Sequence, residues 1–331
     1  MKTKLKVGVI GLGSMGYNHA RVYSDIEGVE LVAISDTSRS CLNSSKKFCS
    51  NLYENYLEMI DKEKFDIISI VVPTDLHKRV AIDVMNRGIN VLLEKPIAST
   101  IKEAEEIIAC AAKNSIKLTI GHIERFNPAI LELKKRLDRS ELGKVYKVDI
   151  NRIGPFPARI RDVGVVIDLA VHDIDILRYL LDSEINRVYA ETEKQIHTDH
   201  EDLLSGLIKF DNSVIAHLNI NWLTPTKIRK VYVTGEKGMF VVNYISQELL
   251  FYENAHFNGG VDRKMGISEG KMTRFLINKK EPLRLELESF VEAVTYGNKP
   301  LVGGEDGLIA LKVARDLVNS SNKGAVVKCN K

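Results

Sequence analysis

The chain has 331 residues, 44% hydrophobic and 27% charged, with 22 Gly and 8 Pro. At roughly 150 residues per domain that is about two domains, and the composition excludes a disordered or collagen-like protein. Lys plus Arg number 47 against 44 Asp plus Glu, a net charge of +3, too near balance to draw the whole molecule onto nucleic acid or a membrane surface.

Cys41, Cys49, Cys110 and Cys329 form no CxxC pair. Neither a metal knuckle nor a disulfide framework is indicated, and a reducing cytoplasm is the expected setting. Near the N-terminus Gly8, Gly11 and Gly13 interrupt the apolar stretch and no small-residue cleavage site follows, so a first strand is expected there rather than a signal peptide. The most apolar run elsewhere, 67–73, is far short of the roughly 20 residues that span a bilayer.

In chain order, 6–10, 29–35, 67–72, 90–93 and 117–120 are short β-branched runs, almost wholly apolar. Continuous rather than alternating runs belong to strands covered on both faces, and the amphipathic stretches 19–26, 77–87 and 101–113 between them predict right-handed βαβ crossovers. Residues 1–122 are therefore expected to form a doubly wound parallel sheet. Beyond 122 the pattern changes to helices at 127–137 and 167–181. Strands are expected at 145–152, 187–193, 205–210, 214–221, 231–234, 239–243 and 248–252. Several alternate polar with apolar residues across short turns, the mark of an open, mainly antiparallel sheet with one covered face. Residues 258–271 read as loop; 283–296 and 306–318 read as closing helices. The second domain, an α+β unit, is expected to run over 123–331, and there is no internal repeat.

Gly11, Gly13, Ser14, Met15 and Gly16 form a GxGxxG that follows a strand and opens a helix, and Asp36 stands twenty residues after Gly16. The glycines permit a tight turn and close approach of backbone N–H groups to a pyrophosphate; Asp36 would accept from ribose hydroxyls and repel a 2′-phosphate. NAD is expected, with NADP second because Arg39 lies close by. Ligands of open parallel sheets sit at the carboxyl ends of strands. Pro73, Thr74 and His77 after one strand, and Glu94 and Lys95 after another, are therefore further cofactor candidates, although a solvated charged turn would look the same.

These segments resemble the glucose-fructose oxidoreductase and inositol dehydrogenase (Gfo/Idh/MocA) superfamily over nearly the whole chain. The resemblance rests on GLGSMG, VVPTDLH, LLEKPIA, DLAVHDIDIL, ELESFVEAVTYGNKP and EDGLIAL. It implies a Rossmann domain followed by an open sheet that forms homo-oligomer contacts, a dimer or tetramer, with Lys95 and His172 as the catalytic pair and Asp168 as their acidic companion. Residues 121–130 and 153–176 are similar to archaeal UDP-N-acetylglucosamine 3-dehydrogenases, which implies a nucleotide-sugar substrate oxidised at C3. A free cyclitol or hexose is the alternative substrate, and a non-catalytic dinucleotide sensor the alternative class.

Asp168, His172, Asp175 and Tyr179 are spaced as one stripe on an apolar helix. The stripe would face solvent or hold a satisfied core histidine unless it serves chemistry, and nothing in its spacing resembles a metal site. For chemistry, His172 suits a base that titrates near neutrality, Lys95 would steady the hydroxyl oxygen, and Asp168 would orient and tune them. Arg125 with Asn127, and Arg152, Arg159 and Arg161 around the 155–157 loop, are expected to grip a diphosphate.

Overall fold

Short runs of Val, Ile and Leu with no polar face need helices on both sides, and the first third of the chain supplies them. In a computed structural model, which describes residues 4–157, 163–196, 199–255 and 268–329, the chain divides into two units. Met1–Ile123 with Glu281–Leu311 form the first; Glu124–Lys280 with Lys312–Lys331 form the second. Residues 281–311, expected in the second domain, therefore fold onto the first.

The first unit runs β1 (Leu5–Ile10), α1 (Ser14–Tyr23), β2 (Val29–Ser35), α2 (Arg39–Ser45), β3 (Leu52–Tyr53), α3 (Tyr56–Lys62), β4 (Ile67–Ile70), α4 (His77–Met85), β5 (Asn90–Leu93), α5 (Ile101–Lys113) and β6 (Leu118–Ile120). Its six strands are parallel, in the order β3-β2-β1-β4-β5-β6. The order reverses beside β1, so the carboxyl ends of β1 and β4 form the crevice where such a sheet takes a ligand. Helix α1 begins at Ser14, five residues before the expected 19, which puts Gly16 inside its first turn. The elements α2, β3 and α3 are too short for periodicity to reveal. Thr100 and Glu103 start α5 with a capping box.

Helix α8 (Pro282–Tyr296) starts with Pro at its first turn and stops at Gly297, whose φ is +74°. It joins the first unit because Leu283, Leu287 and Phe290 share a core with Val22, Tyr23 and Ile26 of and after α1, while Arg21 pairs with Glu281 and Arg284 with Asp25. Helix α9 (Gly304–Lys323) divides between the two units after Leu311. Its glycines make its start possible: a Cβ at Gly307 would lie 2.9 Å from Ile120.

The second unit contains α6 (Pro128–Asp138), β7 (Val145–Pro155), α7 (Val171–Leu181), β8 (Ile185–Glu193), β9 (Leu203–Phe210), β10 (Ile215–Asn221), β11 (Leu223–Gly235), β12 (Gly238–Asn243), β13 (Glu248–Ala255), β14 (Ser268–Phe275) and β15 (Val327–Lys328). They form one nine-stranded sheet, β14-β13-β12-β11-β7-β10-β9-β8-β15, antiparallel except for the parallel β7/β10 pair. Alternation buries Val148, Ile150, Ala216, Leu218, Val231 and Val233 on one face, where α6 packs on β12 and β13. Residues 268–271, expected as loop, belong to β14, because the ladder to β13 satisfies their backbone; the rest of that expected loop, 258–267, lies outside the described residues. No helix among the described residues is long and apolar enough to cross a membrane.

Candidate active site

The glycine turn after β1 shows what each glycine is for. Gly11 has φ +88° and a Cβ there would meet the Val71 carbonyl oxygen at 2.5 Å; a Cβ on Gly16 would lie 1.8 Å from the Gly11 oxygen. Both positions exclude any side chain. A Cβ on Gly13, by contrast, meets nothing within 4 Å, so the open space in front of the α1 N-terminus is left for a ligand. A pyrophosphate fits there: bare backbone approaches it, and the helix end carries partial positive charge. Ser14 and Met15 open α1 beside this space.

Asp36, just past β2, accepts from the Leu12 N–H at 2.6 Å and from the Ser38 N–H at 2.7 Å. One carboxylate thereby fixes the glycine turn to the end of β2 and remains half-exposed for ribose hydroxyls. Arg39 is exposed and pairs with Glu54, which occupies the cation that could have met a 2′-phosphate.

Pro73 is exposed and Thr74 half-buried at the turn after β4. His77 is different. It is 1% exposed, with Nδ1 2.9 Å from the Pro96 oxygen and Nε2 3.0 Å from the Val72 oxygen. It ties the turn after β4 to the turn after β5, so it supports the cofactor crevice from within rather than facing it. Burial holds the imidazole below its usual proton affinity, against the pull of the two carbonyls.

Glu94 is likewise a support. Its Oε1 accepts from His19 Nε2 at 3.1 Å and its Oε2 from the Lys95 N–H at 3.2 Å. Gly121 lacks a side chain because a Cβ would sit 2.9 Å from the Glu94 carboxyl carbon. Burial would raise this carboxyl, but the hydrogen bond from His19 and the charge of Lys95 hold it below the usual carboxylate value. Glu94 is thus an anion locked under a half-buried Lys95 at the carboxyl end of the sheet. Sequence reasoning missed His19; its position on the buried face of α1, three residues after Gly16, was the available signal.

In the second unit the turn before α7, Val166–Ala170, is a π-helix, and it carries Asp168. Its i→i+5 bonding shifts the helical phase, and the expected stripe does not survive intact. Asp168 lines a pocket, whereas Asp175 is 1% exposed and takes Arg125 in a two-pronged pair, Nε to Oδ2 at 2.7 Å and Nη2 to Oδ1 at 2.6 Å. Tyr179 stacks against the same guanidinium, 5.2 Å from ring centre to Cζ. His172 is buried at the start of α7.

The expected diphosphate grip therefore needs correction. Arg125 has a side chain only 6% exposed and committed to Asp175. Arg152, 2% exposed, bonds Asp173 through Nε and Nη2 at 2.7 and 2.8 Å and Glu124 through Nη1 at 2.8 Å. Burial opposes its charge, but Asp173 and Glu124 raise its proton affinity well above the ordinary value. Asn127 is the N-cap of α6, accepting from the Ala129 N–H at 3.1 Å and donating to the Tyr244 oxygen. All three hold the unit together. Arg159 and Arg161 lie outside the described residues.

The second unit also holds a pocket of about 300 Å³ formed by Arg152, residues 153–157 at and after the end of β7, Asp168, Leu169, Trp222, Lys227 and Arg229. Phe156 and Trp222 meet edge to face across 5.8 Å. Arg229 Nη1 shares Glu124 at 3.2 Å. Trp222, Lys227 and Arg229 were not anticipated, although Lys227, Arg229 and Lys230 are a conspicuous basic run on one strand. Among the described residues no three His, Cys, Asp or Glu side chains are grouped as metal ligands.

Residues 5–122 match the family described as "Oxidoreductase family, NAD-binding Rossmann fold", and residues 130–241 match the "GFO/IDH/MocA C-terminal domain". The chain belongs to the GFO/IDH/MocA oxidoreductase family. Residues 5–122, the larger part of the first unit, are the NAD-binding domain of that family. Among curated relatives, UDP-N-acetylglucosamine 3-dehydrogenase of Acidithiobacillus ferrooxidans is 26% identical, over 94% of this chain and 95% of its own length. The NAD-dependent scyllo-inositol 2-dehydrogenase of Bacillus subtilis is also 26% identical, over 99% and 97%. The solved structure of the Acidithiobacillus enzyme superposes with a TM-score of 0.85 at 25% identity, covering 97% of this chain and 98% of that one.

Proposed function

We propose that this family member oxidises a secondary hydroxyl of a nucleotide sugar, C3 of UDP-N-acetylglucosamine, with NAD as hydride acceptor. The observation that carries the proposal is the pocket in the second unit, which puts Asp168 among cations and two aromatic rings. Such a lining suits a polar, anionic ligand with an apolar face. NAD, when bound, supplies the acceptor for the hydride. The chain's own residues manage the proton: His172 takes it from the hydroxyl, Lys95 donates to the oxygen as the carbonyl forms, and Asp168 tunes the imidazole. Similarity over nearly full length to a UDP-N-acetylglucosamine 3-dehydrogenase supports this substrate.

A second reading, oxidation of a free cyclitol, is favoured by the equal identity to the scyllo-inositol enzyme. Steady-state formation of reduced nicotinamide across UDP-N-acetylglucosamine, N-acetylglucosamine, scyllo-inositol and myo-inositol decides between them. The highest kcat/KM should fall on the nucleotide sugar, and preference for a cyclitol would overturn the proposal. NAD should serve better than NADP, since the Asp36 carboxylate would repel a 2′-phosphate and Arg39 is engaged by Glu54. We further infer a cytoplasmic homo-oligomer, dimer or tetramer: the four cysteines are unbridged, and the outer face of the large sheet carries exposed Leu207 and Ile215.

A further inference from the structure

The strand that borders the pocket is not regular. Leu223 pairs with Pro155 and the next pair is Ile228 with Ile153, so β11 advances five residues while β7 advances two. The surplus segment, 224–227, leaves the ladder beside the end of β7, and Lys227 and Arg229 line the pocket together with Asp168. Bulges of this kind re-aim side chains next to active sites.

The charges around this bulge are unevenly matched. Arg152 is held by Asp173 and Glu124, and Arg229 shares Glu124. The Lys227 side chain, exposed at the pocket, makes neither a hydrogen bond nor an ion pair among the described residues. We propose that Lys227, with Arg229 beside it, is an anion subsite of the substrate pocket that grips an oxyanion borne by the sugar, a phosphate or a carboxylate. The proposal rests on the dehydrogenase reading above and gives β11 an anchoring role, Arg125 and Arg152 being held by Asp175 and by Asp173 with Glu124.

Two observations support it. Repulsion from Arg229, then burial, holds the Lys227 ammonium below its usual proton affinity, so an incoming anion would relieve a strain between like charges. Phe156 and Trp222 give the same pocket an apolar wall, against which a sugar face or a base can lie while its oxyanion meets the lysine.

The test is calorimetry on the full chain saturated with NAD, using UDP, N-acetylglucosamine 1-phosphate and glucuronate as anionic probes and N-acetylglucosamine as the neutral control. Lys227→Ala should weaken at least one class of anion about tenfold, the scale of one charge-assisted contact, and leave the neutral sugar unchanged; Lys227→Arg should restore most of the loss. Loss confined to UDP and the sugar phosphate identifies the anion as phosphate, and loss confined to glucuronate identifies it as carboxylate. Equal affinity of wild type and Lys227→Ala for all three anions, or failure of the wild type to bind any, overturns the subsite. Turnover of UDP-N-acetylglucosamine with anion binding indifferent to Lys227 would sink the subsite and spare the reaction. Anion binding that depends on Lys227, with no nucleotide sugar oxidised, would do the reverse.

Discussion

The two halves of the functional apparatus are specified by different physics. The cofactor turn is built from consecutive residues whose demands are steric: Gly11 and Gly16 have no room for a Cβ, and Gly13 has room that must stay empty. The pocket of the second unit rests on residues far apart in sequence whose demands are electrostatic: Arg152 and Arg229 line it, and Glu124 and Asp173 hold them from a turn and a helix behind. A steric rule of this kind appears in a six-residue motif, whereas a charge network appears only once the chain has folded.

The largest effect should come from breaking that network. Arg152→Met removes one partner of a buried pair and leaves Asp173 and part of Glu124 uncompensated, a loss of about 3 to 5 kcal/mol in stability, measurable by urea unfolding. Arg125→Met should behave alike through Asp175. A small stability change accompanied by a raised KM would return these arginines to the substrate and erase the contrast between the halves.

Next in size are Lys95→Ala and His172→Ala, each expected to lower kcat about 10²-fold or more while NAD titrates normally by fluorescence. Near-normal turnover in both would remove the proposed proton machinery. The glycines allow a sharper comparison. Gly16→Ala drives a Cβ into the Gly11 carbonyl and should cost about 1 to 3 kcal/mol of stability. Gly13→Ala should leave the melting temperature nearly unchanged yet weaken NAD binding, because its methyl enters the space reserved for the pyrophosphate. Equal melting losses in the two variants would mean that Gly13 is packing, like Gly16.

The smallest effect is a pH slope. His77 has a lowered proton affinity in the fold because it is buried, so the unfolded chain binds its proton more readily. Stability from this group is complete above the unfolded value of about 6.5 and is lost as the pH falls below it, at no more than about 1.4 kcal/mol per pH unit. Comparing unfolding of the wild type and His77→Gln as the pH falls below about 6.5 should show a flatter acid limb in the variant; parallel curves would contradict it.

The contrast also explains what could be read in advance. The parallel sheet and the glycine turn were legible because doubly buried strands and GxGxxG leave local signatures. The roles proposed for Asp168 and His172 come from resemblance, and their surroundings were not legible in the sequence. The π-turn at 166–170 alters the phase on which a helical stripe depends, and Arg125, Asn127 and Arg152 turn inward because Asp175, the start of α6, and Asp173 with Glu124 engage them. The place of Lys227 at the pocket is not legible in the sequence, because it lies in the segment where β11 breaks register with β7. Apolar spacing predicts helix α8 but not its place in the first unit, since it reveals that a face is buried without revealing which core receives it.

The central claim is that a C–H bond at C3 of a nucleotide sugar is the hydride source. The direct measurement is mass spectrometry of the reduced nicotinamide formed from UDP-N-acetylglucosamine deuterated at C3. One deuterium per reduced cofactor is the predicted result; reduced cofactor without deuterium, or no reduction of NAD by this substrate, would contradict the account.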